Sequence, residues 1–421
     1  MNKVRMCIAA SVAAITLAVA TEVAVPPASS RELARRKHHV ANSPRTPAPE
    51  PGQENTTILS PLLKPNGEKV TSAAEWYSTR RPELLKLWTE VLGKTEPNEA
   101  DRKWFGDITK TIIKSTEEQP GYTRIDLDIP LETDFLQHHL LLIPRDQGRG
   151  PFPAVIAWAA SSGDYRDPER WWGEFLASNG YVVLSSWSLM RNYRNATTSR
   201  TGAPDLLYDR FGRWLPIARM AYDIRRQAQF LKTRPEVDGS RIGFIGFSHS
   251  AKAAVYAGAF APEIQAVVSV DPHIAINGGT NYYDPWYLSW QRKFKDIRTE
   301  TGTVQSLLNP DIKRPGFERD HHELLAMAAP RPFLLIGGDQ SEGDGGHSDD
   351  LQSWGYFNHA KEVYELLGIA ERLQFASTAD GHKANGPNID PAWKTFFQRW
   401  LKETPVRFTG WRDQYGPARN R

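Results

Sequence analysis

The sequence predicts an α/β protein: a mostly parallel sheet with helices on both faces and an irregular insertion over the end that carries the site. Three observations predict it. Short, continuous apolar runs at residues 153–158, 181–185, 241–246, 264–270, 332–337 and 373–377 have the look of strands buried on both faces. Segments of helical periodicity separate them, which calls for crossover connections and parallel neighbours. The alternation also runs without a linker-like break, so residues 71–404 form one domain.

The elements follow in chain order. Residues 75–92 set Trp76, Leu84, Leu87, Trp88, Val91 and Leu92 at helical spacing, and Gly93 stops the helix. Residues 122–130 and 136–144 read as a strand pair, with Ile125, Leu127 and Ile129 alternating against polar neighbours. After the strand at 153–158 come a helix over 171–179, its stop at Gly180 and the strand at 181–185. A long helix over 217–233 ends in the turn 235–239 and feeds the strand 241–246. Next are a helix over 249–260 and the strand 264–270. Residues 277–317 carry no clear element and read as the insertion, a length of irregular chain that tends to be functional. The strands at 332–337 and 373–377 close the sheet, flanked by helices over 359–367 and 391–401.

Ahead of this body, a basic start, an apolar run over residues 6–20 and the triplet Ala18-Val19-Ala20 make residues 1–20 a signal peptide, which predicts a periplasmic or secreted product. The run is shorter than the ~20 residues a spanning helix needs. Residues 21–70 read as a disordered, Pro-rich tether and residues 405–421 as a tail. The net charge is +3, and residues 1–55 hold seven basic against four acidic residues, so the whole surplus lies there. A balanced body gives no footprint for nucleic acid. The single cysteine, Cys7, falls in the leader and excludes a disulfide framework or Cys-rich zinc site.

The chemistry concentrates at residues 241–250, where an apolar strand runs through Gly246-Phe247-Ser248-His249-Ser250 into an Ala-rich helix. A sharp strand-to-helix turn strains its middle residue and needs small residues two positions to either side. Ser248 is the nucleophile this predicts. An ordinary serine N-cap is the plain alternative. Serine needs a base, and His382, in a Gly-preceded loop after the last strand, is the candidate among 11 histidines. For the acid, Asp339, just beyond the strand 332–337, is preferred. Glu342 and Asp344 in the same loop, and Asp271 after the strand 264–270, stay open. Backbone N–H groups of Ala160 or Ser161, with His249 beside the nucleophile, are the expected oxyanion donors. Of Trp171, Trp172, Trp187, Trp286, Trp290 and Trp354, most should be packing, and Trp286 is preferred as a substrate-stacking surface. No metal or organic cofactor is needed for this chemistry.

These residues make the chain resemble an α/β-hydrolase. Three phrases, residues 80–88, 248–258 and 322–332, together with 282–288, resemble exported bacterial carbohydrate esterases of the glucuronoyl-esterase-like, acetyl-xylan-esterase-like and dienelactone-hydrolase-like kind. The resemblance covers residues 76–401. It implies a Ser248–Asp339–His382 triad and a serine esterase that acts on a small-molecule or polysaccharide ester, most simply an acyl ester on a carbohydrate. Glucuronoyl esterases resemble G-x-S-R-x-G-K at the turn. Here His249 stands for the Arg and Ala251 for the second Gly, while Lys252 stays, so the resemblance carries over the triad and not the uronate specificity. A peptidase of the same fold and a catalytically inactive binding module are the alternatives.

Overall fold

The computed structural model describes residues 59–197, 202–272, 274, 321–338, 350–378 and 380–402, all within one compact unit, Ala48–Arg421. The described residues build a nine-stranded sheet: β1 (Ile112–Gln119), β2 (Tyr122–Pro130), β3 (Leu136–Pro144), β4 (Phe152–Trp158), β5 (Val182–Ser186), β6 (Val237–Phe247), β7 (Ala266–Val270), β8 (Phe333–Gly338) and β9 (Leu373–Thr378). Their order is β1-β2-β3-β5-β4-β6-β7-β8-β9. The pairings from β5 to β9 are parallel, and the β1, β2 and β3 pairings are antiparallel.

The period-2 pattern of each central strand splits the core in two. Ala154, Ile156 and Trp158 of β4, with Ile242 and Phe244 of β6, face one cluster; Val155, Ala157 and Ile245 face the other. The first layer holds α1 (Arg81–Leu92), preceded by a wider turn at Trp76–Arg80, and also α5 (Pro216–Lys232) and α6 (His249–Phe260). The second holds α2 (Glu174–Ser178) and α9 (Asp390–Lys402), the latter through Trp393, Phe396 and Phe397. Further helices are α3 (Met190–Thr197), α4 (Gly202–Phe211), α7 (His321–Met327) and α8 (Asp350–Leu366). This is the α/β-hydrolase arrangement.

Several boundaries differ from the expectation, among them β6, which begins at Val237 inside the expected turn 235–239. Residues 59–70, inside the expected tether, pack against the body: Leu62 and Val70 are buried, Arg80 Nε donates to the Pro61 carbonyl at 2.8 Å and His322 Nε2 donates to that of Leu59 at 2.8 Å. The edge strand β1 was not expected. Its Lys114, Glu117 and Glu118 are exposed, and a register shift between Ile113 and Ser115 interrupts its pairing, both of which guard a free edge. Helix α8 begins at Asp350 rather than 359. The expected insertion, 277–317, lies outside the described residues, as do residues 1–20 and 405–421. No helix among the described residues is long and apolar enough to cross a membrane.

Candidate active site

Parallel strands aim their carboxyl ends the same way, so the loops after β6, β7 and β9 gather at one end of the sheet. At the end of β6, Ser248 has φ 58° and ψ −117°. A Cβ on Gly246 would come within 2.6 Å of the Ser250 carbonyl oxygen, so only glycine fits there. One strand over, Asp271 also has φ 55°; with Asp146, these are the non-glycine residues at positive φ among those described. Two strained residues at neighbouring strand ends mark a site rather than a random turn. The backbone joins them: Ser248 N–H donates to the Val270 carbonyl at 2.9 Å, and Asp271 N–H to that of Ile336 at 2.7 Å.

His382 completes the group. Its Nε2 lies 3.1 Å from Ser248 Oγ and its Nδ1 2.5 Å from Asp271 Oδ2. Asp271 is almost fully buried, whereas the His382 side chain keeps about a fifth of its exposure. With Nδ1 donating to the carboxylate, Nε2 is left as an acceptor for the serine proton. The His382 ring packs on Phe247 with centroids 4.7 Å apart. Its loop is braced by the buried Asp380, which accepts from Asn388 N at 3.0 Å, Asn388 Nδ2 at 2.9 Å and Ile389 N at 3.2 Å. Lys252 Nζ donates to the Pro272 carbonyl at 2.5 Å and secures the chain just past Asp271.

The preferred acid, Asp339, lies outside the described residues, as do Glu342, Asp344, Trp286 and Trp290. Asp271, the alternative after β7, holds the Nδ1 position, and one ring N–H serves one carboxylate oxygen at that distance. Beside the serine, Ala160, Ser161, Trp187, Ser188, Arg191 and His249 line a small open pocket. Trp171 meets Phe247 edge-on at 5.9 Å, while Trp172 is buried and donates to the Ala384 carbonyl at 3.0 Å. Trp354 stacks on Phe357 at 5.0 Å and is packing. Arg191 and Ser188 were not expected here. Ser188 follows β5 and Arg191 opens α3, a helix with no apolar run to announce it.

A buried polar chain supports the pocket from below. His139 Nδ1 donates to the Gln137 carbonyl at 2.7 Å, so its Nε2 must accept from Gln227 Nε2 at 3.2 Å. Gln227 Oε1 in turn accepts from Trp158 Nε1 at 2.7 Å, one residue before the Ala159 loop. Burial holds the His139 pKa at about 3, below the ordinary 6.5. As pH falls below 6.5 the unfolded chain takes that proton first, so stability carried by neutral His139 is present above 6.5 and lost toward 3. The slope is about 1.4 kcal/mol per pH unit. His139→Gln should therefore shrink the drop in urea midpoint between pH 7 and pH 5. An unchanged drop would count against the account.

Residues 139–368 match the family model described as "Glucuronyl esterase, fungi". The chain is 25% identical over 374 residues to 4-O-methyl-glucuronoyl methylesterase 1 of Wolfiporia cocos, covering 85% of this chain and 83% of that protein. Among solved structures, it is similar to a carbohydrate esterase family 15 glucuronoyl esterase from Teredinibacter turnerae, with a TM-score of 0.60 and 17% identity over 86% of this chain and 94% of that one. A glucuronoyl esterase of the same family from Caldicellulosiruptor kristjansonii gives a TM-score of 0.56 and 21% identity over 87% of this chain and 98% of that one.

Proposed function

The chain belongs to the glucuronyl esterase family, and on that premise we propose that it hydrolyses uronoyl esters, esters of a sugar acid's own carboxyl group, through an acyl-enzyme on Ser248. Family membership makes it a carbohydrate ester hydrolase of the serine type. The Ser248–His382–Asp271 chain is the observation that carries the finer reading. Ser248 Oγ attacks the ester carbonyl while His382 Nε2 takes its proton, and Asp271 stabilises the imidazolium. The N–H groups of His249 and of Ala160 or Ser161 receive the oxyanion. The intermediate then expels the alcohol, which leaves with the proton from His382. A water, deprotonated by the same nitrogen, releases the free uronic acid and restores the serine.

This reading places the ester on the sugar's carboxyl, not on a hydroxyl as the sequence first suggested. The relatives' names favour it: they are methylesterases of 4-O-methyl-glucuronate. The test is a panel of benzyl and methyl glucuronate, acetylated xylan and an aryl acetate, with a fluorophosphonate to label the serine. We expect labelling at Ser248 and turnover of the glucuronates. Acetate released from xylan with no glucuronate turnover would move the ester to a hydroxyl. Hydrolysis of peptides alone would make the protein a peptidase, and an unlabelled Ser248 would leave a binding module. We also propose export through residues 1–20, which predicts a mature chain beginning at Thr21 by N-terminal sequencing.

A further inference from the structure

Four carbonyls of the loop after β4 accept hydrogen bonds from the protein. The Ala159 carbonyl accepts from Ser250 Oγ, that of Ala160 from Gly163 N–H at 3.0 Å, and those of Ser161 and Gly163 from Arg191 Nη1, the Ser161 contact being 3.5 Å. A trans peptide points its N–H opposite to its C=O. Fixing the carbonyls of Ala159 and Ala160 therefore fixes where the N–H groups of Ala160 and Ser161 point. Among the described residues neither N–H meets an acceptor.

Arg191 is well suited to hold such a loop. Its guanidinium lies 4.8 Å over the Trp187 ring, which is itself set edge-on against Tyr165 at 5.3 Å. No carboxylate among the described residues lies within ion-pair distance of it. A guanidinium stacked on an aromatic face loses little freedom when one of its nitrogens donates to two carbonyls. Gly163 contributes the tight turn: a Cβ there would meet Ala159 Cβ at 2.9 Å and Asp167 Oδ2 at 3.0 Å.

We propose that Arg191 is a positioning residue for the oxyanion hole: by holding the Gly163 carbonyl, with a longer contact to that of Ser161, it fixes the turn whose Gly163 N–H grips the Ala160 carbonyl, and so keeps the Ser161 N–H, beside the Ala160 N–H set by Ser250, facing the carbon that Ser248 attacks. The inference rests on the acyl-enzyme reading above and assigns it a residue outside the triad. Its action is on the transition state, because the N–H groups count most once negative charge forms on the substrate oxygen. Loss of an oxyanion donor costs about 10²–10³ in kcat, so Arg191→Met should lower kcat by about 100-fold and leave KM within about threefold. Affinity for a tetrahedral boronate should fall by the same factor. Arg191→Lys keeps a donor but not the planar group stacked on Trp187, and should recover part of kcat.

Three results overturn the proposal: kcat of Arg191→Met within twofold of the parent, a loss confined to KM, or boronate affinity unchanged while kcat falls. A rise in KM alone would make Arg191 a substrate contact instead. Should Arg191→Met fail to melt cooperatively, Arg191→Gln and Arg191→Lys carry the same comparison. The underlying reading fails separately, through absence of fluorophosphonate labelling at Ser248 in the parent protein.

Discussion

Asp271→Asn is expected to lower kcat by about 10⁴-fold with little change in KM, while Asp339→Asn stays within a few-fold of the parent. The reason is tautomeric. Asp271 Oδ2 sits 2.5 Å from His382 Nδ1 and can only accept, so the ring proton stays on Nδ1 and Nε2 is free to take the serine proton. An asparagine can turn its amide toward the ring and donate to Nδ1. The proton then moves to Nε2, and the base faces Ser248 with its lone pair gone. Geometry survives and the chemistry stops. Because Asp271 is almost fully buried, its removal also leaves any imidazolium that forms without a counter-charge in a site of low dielectric. Steady-state kinetics of the two variants on benzyl glucuronate decide the matter. A 10⁴-fold loss in Asp339→Asn, with Asp271→Asn near the parent, would return the acid to the loop after β8.

That choice of acid also marks how far the chain could be read unaided. Ser248 was legible because its constraints are local: a strand before it, a helix after it and small residues two positions away. His382 was legible from its loop and its glycine. The carboxylate beside His382 Nδ1 was not, because its place depends on sheet order. Asp339 follows β8 and Asp271 follows β7, and both fit the chain order. Only the order β6-β7-β8-β9 puts Asp271 one strand from Ser248, with the loop after β9 reaching back across β8. The strands were found wherever they are buried on both faces, whereas β1 was missed because its side chains are mostly polar and exposed. Arg191 left no sequence signal at all. What it grips is backbone, and backbone carbonyls have no letter in a sequence. The tether was drawn too long because Leu62, in a short apolar stretch, and Val70, alone in a polar one, follow no period that would show that they are buried.

Arg219→Met is the second large effect we expect, a loss of about 3–5 kcal/mol in stability without any contact to the triad. Arg219 is fully buried between Glu132, at 2.6 Å, and Asp223, at 2.9 Å, and its guanidinium lies 5.0 Å from the Phe105 ring and 4.8 Å from that of Phe211. Methionine fills much of the same apolar space, so the loss is electrostatic rather than a cavity. Glu132 keeps partners: Tyr193 OH donates to both of its oxygens at 2.8 Å, and Arg210 lies at 3.0 Å. Asp223 does not, since Oδ1 loses Arg219 and Oδ2 has no hydrogen-bond partner among the described residues. Burial already raises the Asp223 pKa to about 7 against the pull of Arg219, and without that cation it must rise further. A carboxyl whose folded pKa lies above its unfolded 3.8 contributes stability at low pH that is lost as pH rises through the folded value. The parent's loss from this group ends near pH 7, whereas the variant's continues beyond it. The gap between the two proteins should thus be steady from pH 5 to 6.5 and widen from pH 7 to 8.5, as read by urea unfolding. A deficit below about 1 kcal/mol, or one that narrows above pH 7, would mean that Asp223 is not held by Arg219.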